Sequence, residues 1–480
     1  MKNIFKIFTL IFSLLIVISC GDDDLEPTLA LSKDTSSAVN DDDDLFNVLA
    51  SAYNRMTPSS YYGRDVIIMG DVRTDNMYST MASGRFKDSD MDHNADGYGP
   101  WSTIYRVIAI TNIVIGIDET TLGGNPARVQ HIKGQAYALR ALAHFDLLRM
   151  YGQHFVTGQG GAQSLGVPYV KTYKDAANLK PSRDTVVSNV GDIQSDLTTA
   201  ISLMSTAFDT TTSYMTVQGA YAVWARAALY FGAVDSSFYA AAGTAAKWVI
   251  DNGTASPVSA AAFKASYLAD NASNSLFELA YSGTDNTSIN GLGYILRGGS
   301  YGDVRILTGP ATGADDIYDV FEADAATDVR FTVNGMIGLR DGGQPTLIGK
   351  YPSVNGSDNL TLFRIEEMHL IYAETQLMAG NSASALSYLN NIPAIRGASL
   401  YTSATLDNIL NERRKEFFGE GLRFYDLART GQSMPEVDCG KQLNCLLTGS
   451  PPEFGSYRYA YPISKSERDA NPNVQQNTGY

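Results

Sequence analysis

One stretch, RVQHIKGQAYALRALAHFDLLRMYG at residues 128–152, constrains the fold more than any other part of the sequence. Its apolar residues recur at steps of three and four, at positions 132, 136, 139, 143, 147 and 150, which is the spacing of one helix face. Lys133, Arg140 and Arg149 fall outside this apolar face. Many of the apolar residues are alanines, whose small side chains allow neighbouring helices to approach closely. The pattern therefore predicts a long helix within a helical scaffold.

Three later segments each predict a pair of helices joined by a short turn. Residues 217–251 are rich in alanine and turn near 232–236, residues 370–392 are broken at Gly380 and Asn381, and residues 406–431 contain a central glycine turn. Hairpins of about 34 residues rich in Tyr, Gly and Ala are typical of tetratricopeptide-like units, which bury their apolar faces by stacking. The predicted fold class is all-α in the main, with a tetratricopeptide-like hairpin scaffold.

The composition changes in two other regions and suggests a domain plan. Between about residues 252 and 359, Gly, Ser, Thr and Asp dominate and apolar runs are short, which predicts an irregular, loop-rich insertion with a few short strands. Residues 20–45 are polar and acidic, end in NDDDD, and are interpreted as a flexible tether. Residues 46–480 are then expected to form one helical domain that carries the insertion.

Residues 1–19 have the pattern of an export signal. Lys2 and Lys6 precede an apolar segment over residues 7–18, which is shorter than the roughly 20 residues needed to span a bilayer. The following VISC resembles the lipobox of bacterial lipoproteins, in which the cysteine, here Cys20, becomes the lipidated first residue. The aspartates at 22–24 are read either as a surface-export address or as a solvated spacer.

Charge and cysteine content exclude some functions. A formal net charge of −15, with no cluster of Lys or Arg to offset it, excludes nucleic acid as a partner. The two remaining cysteines, Cys439 and Cys445, lie in CGKQLNC, and export implies an oxidising compartment, so a disulfide is predicted. A zinc site would need two further ligands that this neighbourhood does not supply.

Several stretches together resemble the SusD/RagB family of outer-membrane nutrient-binding lipoproteins. They are residues 128–152, 373–392 and 411–431, the C-terminal YPISKSERDANPNVQQNTGY, and WSTIYRVIAITN with Trp101, Tyr105 and Asn112 at family-like spacing. The resemblance implies an outer-membrane protein that faces the cell exterior, anchored by acyl chains such as palmitate. It also implies a SusC-like TonB-dependent transporter as partner, an oligosaccharide or a peptide as ligand, and no catalysis. The motifs themselves predict no cofactor.

The ligand site is expected to depend on tyrosine. All three tryptophans (Trp101, Trp224 and Trp248) fall in predicted helices and are expected in the core, whereas sugars need exposed aromatic rings and polar partners. Loop tyrosines near charged residues are therefore the candidates. The predicted ligand-binding residues are Tyr61, Tyr62, Arg73, Asp75, Tyr78, Tyr294, Arg297, Tyr301 and Arg305, with Arg64 beside them.

Four other patterns favour modest interpretations. GGSYG around Ser300 matches a nucleophile elbow by letter but lacks the strand and helix that an elbow needs. DHNADG, with Asp92, Asn94 and Asp96, fits half of a calcium loop, but Thr103 stands where a bidentate glutamate is expected, so a solvated turn is preferred over calcium. The five histidines show no metal-ligand spacing and are expected at the surface or as caps. The alternating charges from Arg413 to Arg429 predict structural ion pairing across a hairpin rather than acid–base catalysis.

Overall fold

The computed structural model describes residues 38–92, 99–297, 301–310, 313–340, 344–446 and 448–480. Helices dominate it, which confirms the predicted fold class. The helices are α1 Asp42–Met56, α2 Asp65–Asp71, α3 Trp101–Gly116, α4 Pro126–Tyr151, α5 Val186–Leu203, α6 Val217–Phe231, α7 Phe238–Asn252, α8 Ala260–Ser266, α9 Leu292–Ile295, α10 Ile317–Phe321, α11 Ile365–Met378, α12 Ser382–Arg396, α13 Leu406–Glu416, α14 Arg423–Arg429 and α15 Lys465–Ala470. The strands are β1 Met77–Ser79, β2 Ser275–Leu279, β3 Val304–Ile306, β4 Ile337–Arg340, β5 Gln344–Leu347 and β6 Leu360–Arg364.

Helix α4 is the long helix that the sequence predicts. The Asn125 side chain caps it by accepting from the Ala127 amide, and the helix ends before Gly152. The predicted apolar face is buried, but Arg140 and Arg149 are buried as well. Arg140 makes two hydrogen bonds of 2.7 Å to Asp196 of α5, which compensates for its desolvation. The helix is therefore enclosed by its neighbours on several sides, and its cations face the protein.

The three predicted hairpins are present as α6 with α7, α11 with α12, and α13 with α14. Glycine allows close contacts both within and between them. A Cβ atom on Gly232 would lie 2.5 Å from the Tyr239 ring, and one on Gly243 of α7 would lie 2.7 Å from Thr375 Oγ1 of α11. Neighbouring hairpins therefore pack with their backbones close together, as the alanine-rich sequence suggests.

The end of the predicted acidic tether is part of the folded domain, so its assignment through residue 45 is wrong at this end. Asp41 caps α1 by accepting from the Asp44 amide, and Asp42 to Asp44 form the first helical turn. Asp42 is buried and pairs with Arg128 of α4 at 2.9 Å. Carboxylates are favoured there because a helix N-terminus carries partial positive charge. The signal segment, Cys20 and the aspartates at 22–24 lie outside the described residues.

The insertion contains short elements between irregular segments, as predicted. Strand β2 pairs antiparallel with β6, β4 pairs with β5, and β3 pairs with β1. Because β1 comes from the N-terminal part of the chain, the β1–β3 pair holds the insertion against the helical scaffold. This pair determines where the candidate ligand residues meet.

Charged residues of the predicted ladder pair in the interior, but most of their partners come from elsewhere. Within the ladder, Asp426 pairs with Arg413 and Arg429 at 2.8 Å each. Arg423 instead bonds to Asp75 near the N-terminus, at 2.7 Å. Glu416 contacts three arginines from other elements. These charged residues therefore form structural ion pairs, as predicted. Pairs across the α13–α14 hairpin are only part of the network, because most partners come from other segments.

The segment before the C-terminal helix contains a disulfide between Cys439 and Cys445, whose Cα atoms are 5.4 Å apart. It closes a loop that packs against Asp88–Asp92, a single π-helical turn.

Every helix in the described part of the chain is too short or too polar to span a bilayer.

Candidate functional site

Four of the nine predicted ligand residues lie in the interior, so their assignment to a ligand surface is corrected. Tyr61 and Tyr62 are 0% and 2% exposed, and Tyr61 donates to Asp146 Oδ2 at 2.7 Å. Arg73 is 1% exposed, and its guanidinium carbon lies 3.2 Å from the ring centroid of Phe424. These side chains are used in packing because residues 61–75 form α2 and its flanking turns, not an open loop.

Asp75 is the fourth buried residue. It accepts two hydrogen bonds from Arg423, at 2.8 and 2.7 Å, and lies 3.1 Å from Arg414. Burial raises the pKa of Asp75, but the charges of Arg414 and Arg423 more than offset this and hold the pKa below its ordinary value. The carboxylate is therefore ionised and fully occupied by protein partners.

The other five predicted residues are partly exposed, and the structure brings residues from both segments together. Tyr78 of β1 and Arg305 of β3 are directly opposed, and each lies between buried neighbours, so both side chains stand on the outer face of this strand pair. Tyr294 and Tyr301 pack edge to face, with ring centroids 5.0 Å apart. Arg297 is anchored to the backbone through its hydrogen bond to the Tyr351 carbonyl at 3.2 Å.

The sequence pattern did not reveal Arg85 as a residue of this surface, nor the buried Asp303 that holds it there. Arg85 places its guanidinium carbon 4.3 Å from the centroid of the Tyr301 ring and pairs with Asp303 at 3.1 Å. Asp303 is completely buried and also accepts from the Ser83 amide at 3.0 Å. The only local signal was the turn sequence Ser-Gly before Arg85, because its stacking partner is more than 200 residues away.

We call Tyr78, Arg85, Tyr294, Tyr301 and Arg305 the aromatic–arginine surface. Its rings can stack on the apolar C–H faces of a sugar, and its guanidinium groups can donate to hydroxyl oxygens. Arg305 has no hydrogen-bond or ion-pair partner among the described residues, and its Nε is buried. The surface therefore offers ring faces and at least one unused set of donors.

The motifs at residues 92–97 and 298–302 cannot be placed. Residues 93–98 and 298–300 lie outside the described residues, as does the side chain of Asp92, so the calcium and Ser300 interpretations remain predictions. Elsewhere in the described ranges, no group of three or more His, Cys, Asp or Glu side chains could hold a metal ion.

The histidine prediction is partly wrong. His131, His144 and His154 are buried, and burial lowers the pKa of His144 to about 3, so its ring is neutral. His144 contacts the Arg140 carbonyl at 2.9 Å and accepts from the Val170 amide at 3.1 Å. These histidines support packing, which their sequence spacing did not reveal.

The described helices form a scaffold of tetratricopeptide-like hairpins, which carries a surface of partly exposed rings. A SusD-like family described as "Starch-binding associating with outer membrane" matches residues 29–229, and the SusD family matches residues 349–480. The chain belongs to the SusD/RagB family. The two ranges leave residues 230–348 between them, and this segment contributes Tyr294, Tyr301 and Arg305.

Similar proteins agree with this assignment. A solved SusD superfamily protein of Bacteroides thetaiotaomicron superposes with a TM-score of 0.78 at 27% identity, over 91% of this chain and 99% of that one. SusD-like protein P38 of Formosa agariphila is 30% identical over 151 residues, 28% of each chain. Starch-binding protein SusD of Bacteroides thetaiotaomicron is 28% identical over 145 residues, 29% of this chain and 24% of that protein. The matched segments thus span about a quarter of the curated relatives' length, and the second of these two relatives is named for starch binding.

Proposed function

We propose that this protein captures an oligosaccharide at the cell surface and delivers it, chemically unchanged, to a SusC-like TonB-dependent transporter in the outer membrane. The observation that carries the proposal is the aromatic–arginine surface on a SusD-type scaffold. The descriptions of the matching family and of a curated relative as starch-binding support the ligand class.

The geometry of the surface suits a sugar. Tyr301 packs edge to face with Tyr294 and has the Arg85 guanidinium over its ring, so two neighbours hold this ring before a ligand arrives. Fixed rings lose little conformational entropy on binding, which favours affinity. Tyr78 and Arg305 extend the same surface along the β1–β3 pair. An extended ligand can therefore contact rings and donors together.

Membrane attachment is part of the proposal. Cys20 would carry the lipid, and the chain would face the cell exterior, with Asp22 to Asp24 as the address. The experiment is to replace these three aspartates with alanine and add protease to intact cells. If the protease cleaves the parent but not the variant, the aspartates act as a surface-export address. If it cleaves both equally, the aspartates are only a spacer.

The binding step is tested by calorimetry on the mature chain with starch, laminarin, xylan and galactomannan. Tyr301→Ala should lower the affinity for the polysaccharide that binds by about tenfold, which corresponds to a loss of about 1.4 kcal/mol of binding free energy. Tyr173→Ala is the matched control, because Tyr173 is an exposed tyrosine outside this surface. Equal affinity of both variants and parent would contradict the site. Release of shorter sugars during the titration would instead support a hydrolase.

The delivery step needs a separate measurement. The full-length lipoprotein should co-purify with a large outer-membrane barrel from native membranes. The ratio of lipoprotein to barrel should stay constant when the membranes are dissolved in mild detergent. Recovery of the lipoprotein without any barrel, while polysaccharide binding is intact, would leave capture in place and refute delivery through a transporter.

A peptide is the second candidate ligand. The observation in its favour is that the aromatic–arginine surface contains tyrosine and arginine but no tryptophan, and guanidinium groups also pair with peptide carboxylates. A library of unstructured peptides in the same calorimeter separates the two. Binding of peptides without any polysaccharide response would exchange the ligand and keep the architecture.

A further inference from the structure

A groove between α7 and α11 lies outside the aromatic–arginine surface and shares no residue with it. Its volume is about 890 Å³, inside the range of roughly 300–1,000 Å³ that small-molecule sites occupy. Three aromatic residues line it, Tyr239 and Trp248 from α7 and Tyr372 from α11. The sequence pattern predicted Trp248 in the core, but its side chain is only partly buried.

The rings of this groove are fixed by their neighbours. The indole of Trp248 stacks on Tyr221 with centroids 3.9 Å apart and an interplanar angle of 15°. Tyr239 packs over Gly232, where a Cβ atom would clash with its ring. Tyr372 packs edge to face on Tyr388, at 4.5 Å. The rings are thus arranged before any ligand is present, which lowers the entropy cost of binding.

Polar groups in the groove have unused hydrogen-bonding capacity. Among the described residues, the hydroxyls of Tyr239 and Tyr372 and the amide nitrogen of Gln376 donate to no partner. The Gln376 carbonyl oxygen accepts from Asn381, which orients the amide. Thr375 donates its hydroxyl proton to the Tyr372 carbonyl and is buried against Gly243. The groove therefore offers hydroxyl and amide groups that can pair with a ligand rich in hydroxyl groups.

The charges in the groove cancel. Lys247 and Asp251, one turn apart on α7, form an ion pair at 2.5 Å. The other lining residues are uncharged. An anionic or cationic ligand would have to compete with this pair, whereas a neutral ligand would not. The lining therefore favours an uncharged, hydroxylated molecule.

A second hollow of about 330 Å³ adjoins the groove and shares Trp248 and Asn252 with it. Threonines dominate its lining, at positions 206, 210, 211, 212, 216 and 254. Trp248 thus lies at the boundary between an aromatic groove and a hollow rich in hydroxyls. One extended chain molecule could occupy both and pass over the indole.

We propose that the α7/α11 groove and its adjoining hollow form a second binding site, which holds an uncharged oligosaccharide across Trp248. The inference rests on the proposed function only for the class of ligand. It assigns a position on the helical hairpins that the aromatic–arginine surface does not use.

Tryptophan fluorescence of the mature chain distinguishes the two sites. Trp101 is buried, the aromatic–arginine surface has no tryptophan, and only Trp224 and Trp248 are partly exposed. Titration with starch, laminarin, xylan and galactomannan should change the emission with at least one of them, and alginate, which is anionic, should not. Trp248→Phe should remove this response, while Trp224→Phe, on the neighbouring helix, should keep it.

Affinity is measured in parallel by retardation in gels cast with the responding polysaccharide. Trp248→Ala and Gln376→Ala should each weaken retardation about fivefold or more, with melting temperatures checked for each variant. Gln376→Ala removes only a partly exposed amide, so a folding defect cannot account for both losses.

The outcomes also separate this inference from the proposed function. Loss of binding in Tyr301→Ala with an unchanged Trp248→Ala overturns the second site and leaves the first. Loss in Trp248→Ala alone supports the groove and contradicts the aromatic–arginine surface. The inference is overturned if no neutral polysaccharide changes the tryptophan fluorescence. It is also overturned if Trp248→Ala no longer co-purifies with the barrel but is still retarded in the polysaccharide gel.

Discussion

Glu416 is the centre of a buried ionic cluster, and its neutralisation tests whether that cluster stabilises the fold. Arg396 Nη2 lies 2.8 Å from Glu416 Oε1, and Arg330 Nη1 lies 3.1 Å from Glu416 Oε2. Arg364 bonds to the same carboxylate. All four side chains are 3% exposed or less. The proposed change is Glu416→Gln, which preserves shape but turns an amide N–H toward guanidinium donors.

The expected magnitude follows from the partners that remain. Removal of one partner from a buried ion pair costs about 3–5 kcal/mol. Here each arginine keeps another carboxylate: Arg330 keeps Asp328, and Arg364 and Arg396 keep Glu366. We therefore expect the free energy of unfolding to fall by about 3 kcal/mol, at the lower end of that range.

The assay is urea unfolding of the mature chain at pH 7, followed by circular dichroism. Asp469→Asn is the control, because its pair with Lys465 is largely exposed and should contribute no more than about 1 kcal/mol. A loss below about 1 kcal/mol for Glu416→Gln would refute the reasoning. It would mean that the cost of desolvating this carboxylate is as large as its attraction to the three arginines.

The effect should depend on pH. Burial raises the pKa of Glu416, but Arg396, Arg364 and Arg330 more than offset this and hold it well below its ordinary value. A carboxylate with a depressed folded-state pKa stabilises above its unfolded pKa of about 4.5 and loses this contribution as the pH falls. The stability difference between parent and Glu416→Gln should therefore be constant from pH 8 to 5 and narrow below about 4.5. A difference that widens on acidification would contradict the sign.

Three further changes have defined outcomes. Gly421→Ala should lower the free energy of unfolding in urea by about 3 kcal/mol, because φ is +76° and a Cβ would lie 2.7 Å from the backbone of α2. The control is Gly380→Ala, which has a similar φ of +78° but open space around the Cβ position, and it should cost about 1 kcal/mol. Equal costs for the two variants would contradict the packing argument. Replacing Cys439 and Cys445 with serine should cost about 2 kcal/mol, and intact mass with a thiol reagent should show no free thiol at these positions in the parent. Asp41→Ala should cost about 1 kcal/mol by thermal unfolding through loss of the α1 cap, and no change would show that the cap is dispensable.

Much of the scaffold could be predicted because helix signals are local. The spacing of apolar residues and the glycine turns placed α4 and the three hairpins correctly, since they depend on neighbours three or four residues away. The irregular insertion was also recognised from composition. The acidic run before α1 was misassigned, because composition alone does not distinguish a solvated spacer from the first turn of a helix that is capped by Asp41 and paired with Arg128.

The candidate site could be predicted only in part. Two separate segments supplied the tyrosine and arginine candidates, and β1–β3 pairing places Tyr78 opposite Arg305. Arg73 and Asp75 have the same local character but lie in the core, because their partners Phe424 and Arg423 are about 350 residues away. Trp248 shows the reverse error: it was predicted in the core, but its side chain is only partly buried.

The sequence by itself determined the helical hairpins, the likeness to the SusD/RagB family and the residue types available for a ligand. Tertiary structure alone decided which rings and charges remain at the surface. The physical reason is the range of each effect: helix formation depends on residues within one turn, whereas burial and ion pairing depend on whatever distant segment packs against a side chain.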